Sequence, residues 1–255
     1  MTAEMVNVVI PMAGLGSRFA KAGYDLPKPL LPVQGKPMID VVIENLRPKR
    51  PHRFIFICQQ EHIKKYDLES RLLAASSDVQ IIAIDKVTQG AACTVLLARK
   101  YIDNEQSLMI ANCDQFISFS IDQYLGEMDL GEYDGYIMTM TATDPKWSYV
   151  RLDDDQNIVE VVEKKVVSSE ATVGIYNYAR GADFVSSADA MINANDVVNG
   201  EFYVAPVYNY MIKKGARIGY YNIGSERNGM YGLGVPCDLD YFNSLPDLPV
   251  TNYKL

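Results

Sequence analysis

Four short runs, VNVVIPM (6–12), RFIFICQ (53–59), VQIIAID (79–85) and SLMIANCD (107–114), are almost continuously apolar and rich in β-branched side chains. Strands covered on both faces read this way, so the pattern predicts central parallel strands. Between them PMIDVVIENL (37–46), HIKKYDLESRLLAAS (62–76) and GAACTVLLARKYI (90–102) space their apolar residues three and four apart. That spacing predicts amphipathic crossover helices, and the alternation of strand and helix predicts an open α/β sheet.

The pattern changes near residue 130. YDGYIMTMTAT (133–143), YVRLDDDQNIVEVVEK (149–164) and ATVGIYNYA (171–179) read as successive strands, with DDDQN as a hairpin turn inside the second stretch. Helices are expected through ADFVSSADAMINA (182–194) and VAPVYNYMIKKG (204–215), the latter closed by Gly215, before a strand ARIGYYNI (216–223). The sheet should therefore become mixed. No internal repeat, low-complexity segment or linker interrupts the chain.

Composition narrows the partners. The 255 residues are 48% hydrophobic, enough for a sizeable core, and 24 basic against 32 acidic residues give a formal net charge of -8. That balance argues against nucleic acid or an anionic membrane as the main partner. No apolar run approaches the roughly 20 residues of a membrane helix. The N-terminal stretch also lacks the basic flank of a signal peptide, so a cytoplasmic location is expected. Cys58, Cys93, Cys113 and Cys237 lie far apart and read as reduced thiols, while His52 and His62 suggest no nucleophilic triad. Residues 1–50 depart from the acidic average, holding seven Lys or Arg against four Asp or Glu.

Those cations gather behind the first apolar run, in VVIPMAGLGSRFAKAGYDLPKPLLPVQGKPMID. Gly14 and Gly16 let backbone N–H groups approach a base or phosphate, although a structural turn explains two glycines equally well. The segment lacks the third glycine of a dinucleotide fingerprint and the Lys-Ser/Thr ending of a P-loop. Arg18 offers a planar fork for phosphate oxygens, and Lys28, flanked by prolines, a charge of fixed position. Lys21 and Lys36 read as surface charges. A second candidate place is MIANCDQF, where a strand ends in Asp114. Such a carboxylate suits Mg²⁺, which commonly takes one or two protein carboxylates, but a turn cap is as good a reading of Asp114 alone.

Taken in order, VVIPMAGLGSRF, LPKPLLPVQGKPMID, TQGAACTVL, ANCDQF, VVEKK, TVGIYNY and GEFYVAPVYNYM resemble the nucleotidyltransferase family that activates sugar phosphates and related small phosphates. The similarity covers most of the chain and is nearest to short bacterial members of capsule and surface-polysaccharide pathways. It implies a Rossmann-like three-layer α/β/α sandwich with a mixed, mainly parallel central sheet, the nucleotide-diphospho-sugar transferase fold. Residues 1–255 would form one domain, with a nucleotide-binding half at 1–125 and an acceptor-binding half at 126–255. The implied reaction joins an NTP, CTP before UTP or dTTP, to a phosphorylated acceptor and releases pyrophosphate. In that reading Met12, Ala13, Gly14, Gly16, Gln89, Gly90 and Asn112 contact the nucleotide, and Arg18 and Lys28 stabilise its phosphates. Asp114 holds Mg²⁺, and Lys164, Gly174, Glu201 and Tyr149 line the acceptor side.

The chain departs from the family's pattern twice. Where relatives carry a second metal-binding Asp, MYGLGVPCDLDYF places Gly232; Asp238 or Asp240 is a candidate substitute, and a helix cap the alternative for Asp238. Where sugar-handling relatives place a glycine, Tyr149 stands, and its ring would narrow a hexose site. Two other readings remain open: a nucleotide-sugar-dependent glycosyltransferase of the same fold, and a non-catalytic nucleotide-binding protein. Tyr231, Tyr241 and Tyr253 are candidates for a homodimer contact, with packing inside the chain as the alternative.

Overall fold

The computed structural model describes residues 5–246. Strand β1 (Val6–Pro11) leads through the glycine turn into the short helix α1 (Ser17–Lys21), then a 3₁₀ turn at Lys28–Leu30. The two-residue strands β2 (Pro32–Val33) and β3 (Lys36–Pro37) form a separate hairpin before α2 (Met38–Leu46). Next come β4 (His52–Gln59), α3 (Gln60–Tyr66), α4 (Leu68–Leu73), β5 (Val79–Ile84), α5 (Ala91–Leu96), α6 (Arg99–Ile102) and β6 (Ser107–Ala111). After β7 (Gln115–Ile117) and α7 (Ile121–Leu130) follow β8 (Gly135–Thr141), β9 (Ser148–Leu152), β10 (Ile158–Glu163) and β11 (Glu170–Tyr178). Helices α8 (Gly181–Asn193) and α9 (Tyr208–Ile212), strands β12 (Ile218–Glu226) and β13 (Gly229–Gly232), and α10 (Pro236–Asn243) complete the described chain.

Two predicted helices are broken. Asp67 adopts φ 48°, outside the right-handed well, and separates α3 from α4 while its carboxylate accepts from Ser70. The segment 90–102 likewise splits, at Leu97 and Ala98. Regular pairing of the run ending in Asp114 stops at Ala111, with one last backbone N–H, that of Asn112, donated to the Gly174 carbonyl on β11.

One sheet carries the order β5-β4-β1-β6-β11-β8-β12-β13-β7, with the β9–β10 hairpin attached to β11 at Ala171↔Tyr149. β1 pairs in parallel with β4 and β6, whereas β11 runs antiparallel to β6 and β8, so the sheet is mixed. Strands from before and after residue 125 interleave, since β7 closes the far edge against β13.

Every residue of β1 except Pro11 is fully or nearly fully buried, as a two-sided strand requires. Val6, Val8 and Ile10 face a core built with α2, α7 and α10, where Val42, Tyr124 and Phe242 pack. Val9 faces the opposite core, built with α5, α8 and α9 around Val95, Phe184 and Tyr208. Because the chain leaves β1 toward β4 on one side and reaches β6 on the other, a crevice opens beyond the C-terminal ends of these strands.

All four cysteines are free, and among the described residues no helix is long and apolar enough to cross a membrane. Tyr231 packs on Phe116 and Phe242, and the Arg227 guanidinium lies over the Tyr241 ring. Both tyrosines therefore have partners inside the chain; Tyr253 lies outside the described residues.

Candidate active site

The crevice holds three adjoining cavities. The first, about 350 Å³, opens between the β1 turn and the start of α5, with Met12, Ala13, Gly14, Lys28, Gly90 and Asn112 on its walls. A second of about 510 Å³ lies on the far side of β6, against β9, β10 and β11. A smaller chamber of about 200 Å³ joins them in front of Asp114. Asn112 borders all three, Glu201 the first two, and Arg18 and Asp114 the last two.

Backbone geometry shapes the first cavity. A Cβ added to Gly14 would meet nothing within 4 Å, so its missing side chain leaves room for a ligand against the main chain. Gln59 steadies this turn by donating to the Ala13 carbonyl at 2.8 Å. Gly16 lies just behind the wall at φ 60°, its would-be Cβ 3.4 Å from the Lys28 Cβ. Gly90 adopts φ 114°, and a Cβ there would lie 2.5 Å from the Phe202 carbonyl oxygen. That carbonyl accepts from Ala92 at 3.0 Å, which ties the α5 start to the segment carrying Glu201. Gln89 lies outside this wall, its side chain donating to the Gly200 carbonyl at 3.3 Å, while Thr88 and Gly90 form the wall beside it.

Lys28 and Asp114 form the centre. The ammonium Nζ lies 2.9 Å from Asp114 Oδ2, and both side chains are largely buried. Burial pulls the Lys28 pKa down, but the Asp114 carboxylate and the neighbouring Cys113 outweigh it and hold the pKa above the usual lysine value. Lys28 is therefore a permanent cation. The Asp114 carbonyl accepts from Leu233 at 2.8 Å, fastening the end of β6 to the segment after β13.

The acceptor-side cavity is walled by Ser148, Glu163, Lys164, Gly174, Tyr176 and Glu201, among others. Gly174, at φ 81°, lets Asn112 and Gln115 lie directly against the β11 main chain; a Cβ would sit 2.7 Å from Gln115 Oε1 and still nearer Asn112 Nδ2. Lys164 hydrogen-bonds the Tyr203 hydroxyl and lies over that ring, 4.4 Å from its centre. Burial raises the Glu163 pKa above the normal carboxylate value, against the opposing influence of the Ser148 hydroxyl and Lys164.

Tyr149 corrects the sequence expectation. It is fully buried, and its hydroxyl donates to the Asp144 carbonyl at 2.7 Å. Successive strand residues face opposite sides, so Ser148, and not Tyr149, takes the cavity wall. Lys146, Trp147, Ser148 and Glu163 are among the wall residues missed from the sequence. Their signal is a Lys-Trp pair directly before a strand and an acid beside Lys164, each indistinguishable from a solvated turn until the strands are paired.

The place of a divalent cation can be tested on the donor set. Among the described residues no three His, Cys, Asp or Glu side chains gather for a metal. Mg²⁺ does not need three, because it keeps water and substrate phosphate oxygens. Asp114 offers a hard oxygen at the junction of the cavities, and Asp238 lines the same chamber. Asp240 does not reach it; Tyr24 lies 3.5 Å from its carboxylate instead. The donors present fit Mg²⁺.

The family model described as Nucleotidyl transferase matches residues 7–204. The bifunctional protein GlmU of Thermodesulfovibrio yellowstonii is 27% identical over 252 residues, covering 92% of this chain and 50% of its own length. The chain spans about half the length of the curated relatives it matches. A nucleoside-diphosphate-sugar pyrophosphorylase from Vibrio cholerae RC9 superposes with a TM-score of 0.79 at 25% identity, covering 93% of this chain and 100% of that one. The inositol-1-phosphate CTP transferase from T. maritima shares the fold alone, with a TM-score of 0.71 at 15% identity over 96% of this chain and 98% of that one. With the family model spanning most of its length and the glycine turn, Lys28 and Asp114 meeting in one crevice, the chain belongs to the nucleotidyl transferase family.

Proposed function

We propose that this chain transfers a nucleotidyl group from an NTP, with CTP the first to test, to a phosphorylated sugar or related small phosphate, releasing pyrophosphate. The observation that carries the reading is the Lys28–Asp114 pair set between a glycine-walled cavity and a polar one. The first suits a nucleoside, and the second, lined by Ser148, Glu163 and Glu201, offers acceptors for sugar hydroxyls. A structural relative named as a nucleoside-diphosphate-sugar pyrophosphorylase supports the acceptor class. Supply of activated sugars for a bacterial surface polysaccharide, in the cytoplasm where NTPs are available, fits this chemistry.

In the proposed step an oxygen of the acceptor phosphate attacks the α-phosphorus in line. The new O–P bond forms as the α-phosphorus to bridging-oxygen bond breaks, and pyrophosphate leaves with the bond's electron pair. No protein nucleophile is required; positioning and charge stabilisation suffice. Arg18 and Lys28 supply fixed positive charge beside the phosphates, and Lys164 faces the acceptor's phosphate from the opposite wall. Mg²⁺ bound through Asp114 would neutralise charge on the triphosphate. Gly90 and Gly174 let the Phe202 main chain and the Asn112 and Gln115 side chains pack closely beside the two cavities.

The test is thermal unfolding with CTP, UTP, dTTP, GTP and ATP, each with Mg²⁺, followed by pyrophosphate release with a panel of sugar and polyol phosphates. A ligand at one hundred times its Kd adds about 2.7 kcal/mol, a shift of several degrees. One NTP is expected to stabilise the protein, with the shift lost in Asp114→Ala. A shift with nucleotide-sugars and none with NTPs would instead support glycosyl transfer, and binding without pyrophosphate release from any acceptor would support a nucleotide-binding protein.

A further inference from the structure

We propose that Gln34 and Asn243 are positioning residues: together they form a joint that keeps Lys28 in register with Asp114 once substrate enters between the two. The use of the joint rests on the transferase reading; the joint itself stands on its hydrogen bonds.

Between the end of β1 and the start of α2 the chain makes an excursion that carries Arg18 and Lys28. Its strands β2 and β3 pair with each other, outside the main sheet. Leu31 and Val33 are buried in the core below, but apolar burial is non-directional and does not aim a charge a few residues away. Directional bonds come from the hairpin tip. Gln34 and Gly35 turn at φ 46° and 83°, the left-handed pair of a tight hairpin, where Asn, Asp or Gly usually comes first. Glutamine adds reach. Its Nε2 donates to the Leu245 carbonyl at 3.1 Å and the Phe242 carbonyl at 3.4 Å, at the end of α10 where intrahelical donors run out. Asn243 answers from the helix: its Oδ1 accepts the Gln34 backbone N–H at 2.7 Å, and its Nδ2 donates to the Pro32 carbonyl at 3.1 Å. These bonds join residues 208 to 211 positions apart.

The joint closes a ring around the site. Lys28 lies six residues before Gln34, and α10 begins two residues after Gly234. The other end of that ring is fastened to Asp114: Leu233 donates to the Asp114 carbonyl at 2.8 Å, and a Cβ on Gly234 would lie 2.5 Å from Asp114 Oδ2. Two closures therefore hold the segments together, the Lys28–Asp114 ion pair at 2.9 Å on the inside and the Gln34–Asn243 joint on the outside. A phosphate on Lys28 and a cation on Asp114 would both compete with the inner closure. When the ion pair lengthens to admit them, the outer closure stays intact and keeps the ammonium aimed at the reacting centre. Asn243 is exposed, so its side chain contributes to this joint without filling the core.

The experiment titrates the full chain and its variants calorimetrically with inorganic tripolyphosphate and Mg²⁺, a probe that needs neither base nor acceptor, and measures kcat for pyrophosphate release from CTP. Asn243→Ala is expected to weaken tripolyphosphate binding and to lower kcat, each by about tenfold, since a misplacement near 1 Å can cost about a hundredfold. Gln34→Ala, which keeps both Asn243 bonds, should show a smaller loss in the same direction, and it carries the test if Asn243→Ala does not fold. Asn243→Asp keeps an oxygen for the Gln34 N–H and should recover most of the loss. Were the joint only structural, the melting temperature would fall while affinity and kcat, measured well below the transition, stayed at the parent's values; that result overturns the inference. So does an unaltered chain that fails to bind tripolyphosphate. Pyrophosphate release untouched by Asn243→Ala removes the joint and leaves nucleotidyl transfer. Tripolyphosphate binding that requires Asn243, in a protein that releases no pyrophosphate with any NTP and acceptor, removes the transferase reading and leaves the joint.

Discussion

Lys28 shows how one residue gains a role from its surroundings. The prolines on either side restrict its backbone, and Asp114, 2.9 Å away, fixes the ammonium. Replacing it with alanine should lower kcat by about a hundredfold, near 3 kcal/mol, if it acts as a single preorganised donor. Steady-state pyrophosphate release checks this, and circular dichroism confirms that the variant is folded. Glu163 carries the opposite kind of stress. Burial raises its pKa in the folded protein above 4.5, so the folded state holds its proton longer than the unfolded chain does. Stability is therefore lost as pH rises from about 4.5 to the folded pKa, and stays lost above it. Glu163→Gln removes this dependence. Urea unfolding from pH 4 to 8 should show the variant gaining on the parent as pH rises and then levelling off. The same substitution should slow turnover, because Glu163 lines the acceptor cavity.

At the scale of elements, strand ends and glycine turns set the cavity walls. β11 leaves the ordinary β region at Gly174, where its pairing with β8 shifts register between Thr172 and Tyr176. Gly174→Ala would force φ 81° on a residue with a Cβ and push Asn112 and Gln115 aside. A cost of at least about 2 kcal/mol is expected from backbone strain and clash, with nucleotide affinity lost as Asn112 moves. Thermal melts with and without NTP measure both effects. The glycine itself was legible in TVGIYNY; that its missing side chain makes room for Asn112 was not, because the contact joins residues 62 positions apart. Tyr149 was misread for a related reason. Alternation says that Ser148 and Tyr149 face opposite ways, but only pairing with β10 and β11 decides which one faces the cavity.

For the whole molecule, the sheet order decides what the crevice contains. β11 lies between β6 and β8, so the walls of the acceptor cavity come to rest beside Asn112 and Asp114. β13 then carries Gly232 to the far edge strand β7, and α10 follows with Asp238. The sequence by itself determined the strand-helix alternation, the two-sided burial of β1, β4 and β6, and the candidate chemistry of the glycine turn, Arg18, Lys28 and Asp114. These are local properties: hydrophobic period, permitted backbone angles and side-chain charge act over a few neighbouring residues. Tertiary structure alone decided the breaks within the helices at 60–73 and 91–102, the burial of Tyr149, the turning of the Gln89 side chain to Gly200, the presence of Lys146 and Trp147 at the site, and the choice of Asp238 over Asp240 on the chamber wall. Each depends on strand pairing or packing between distant segments, which no local pattern records.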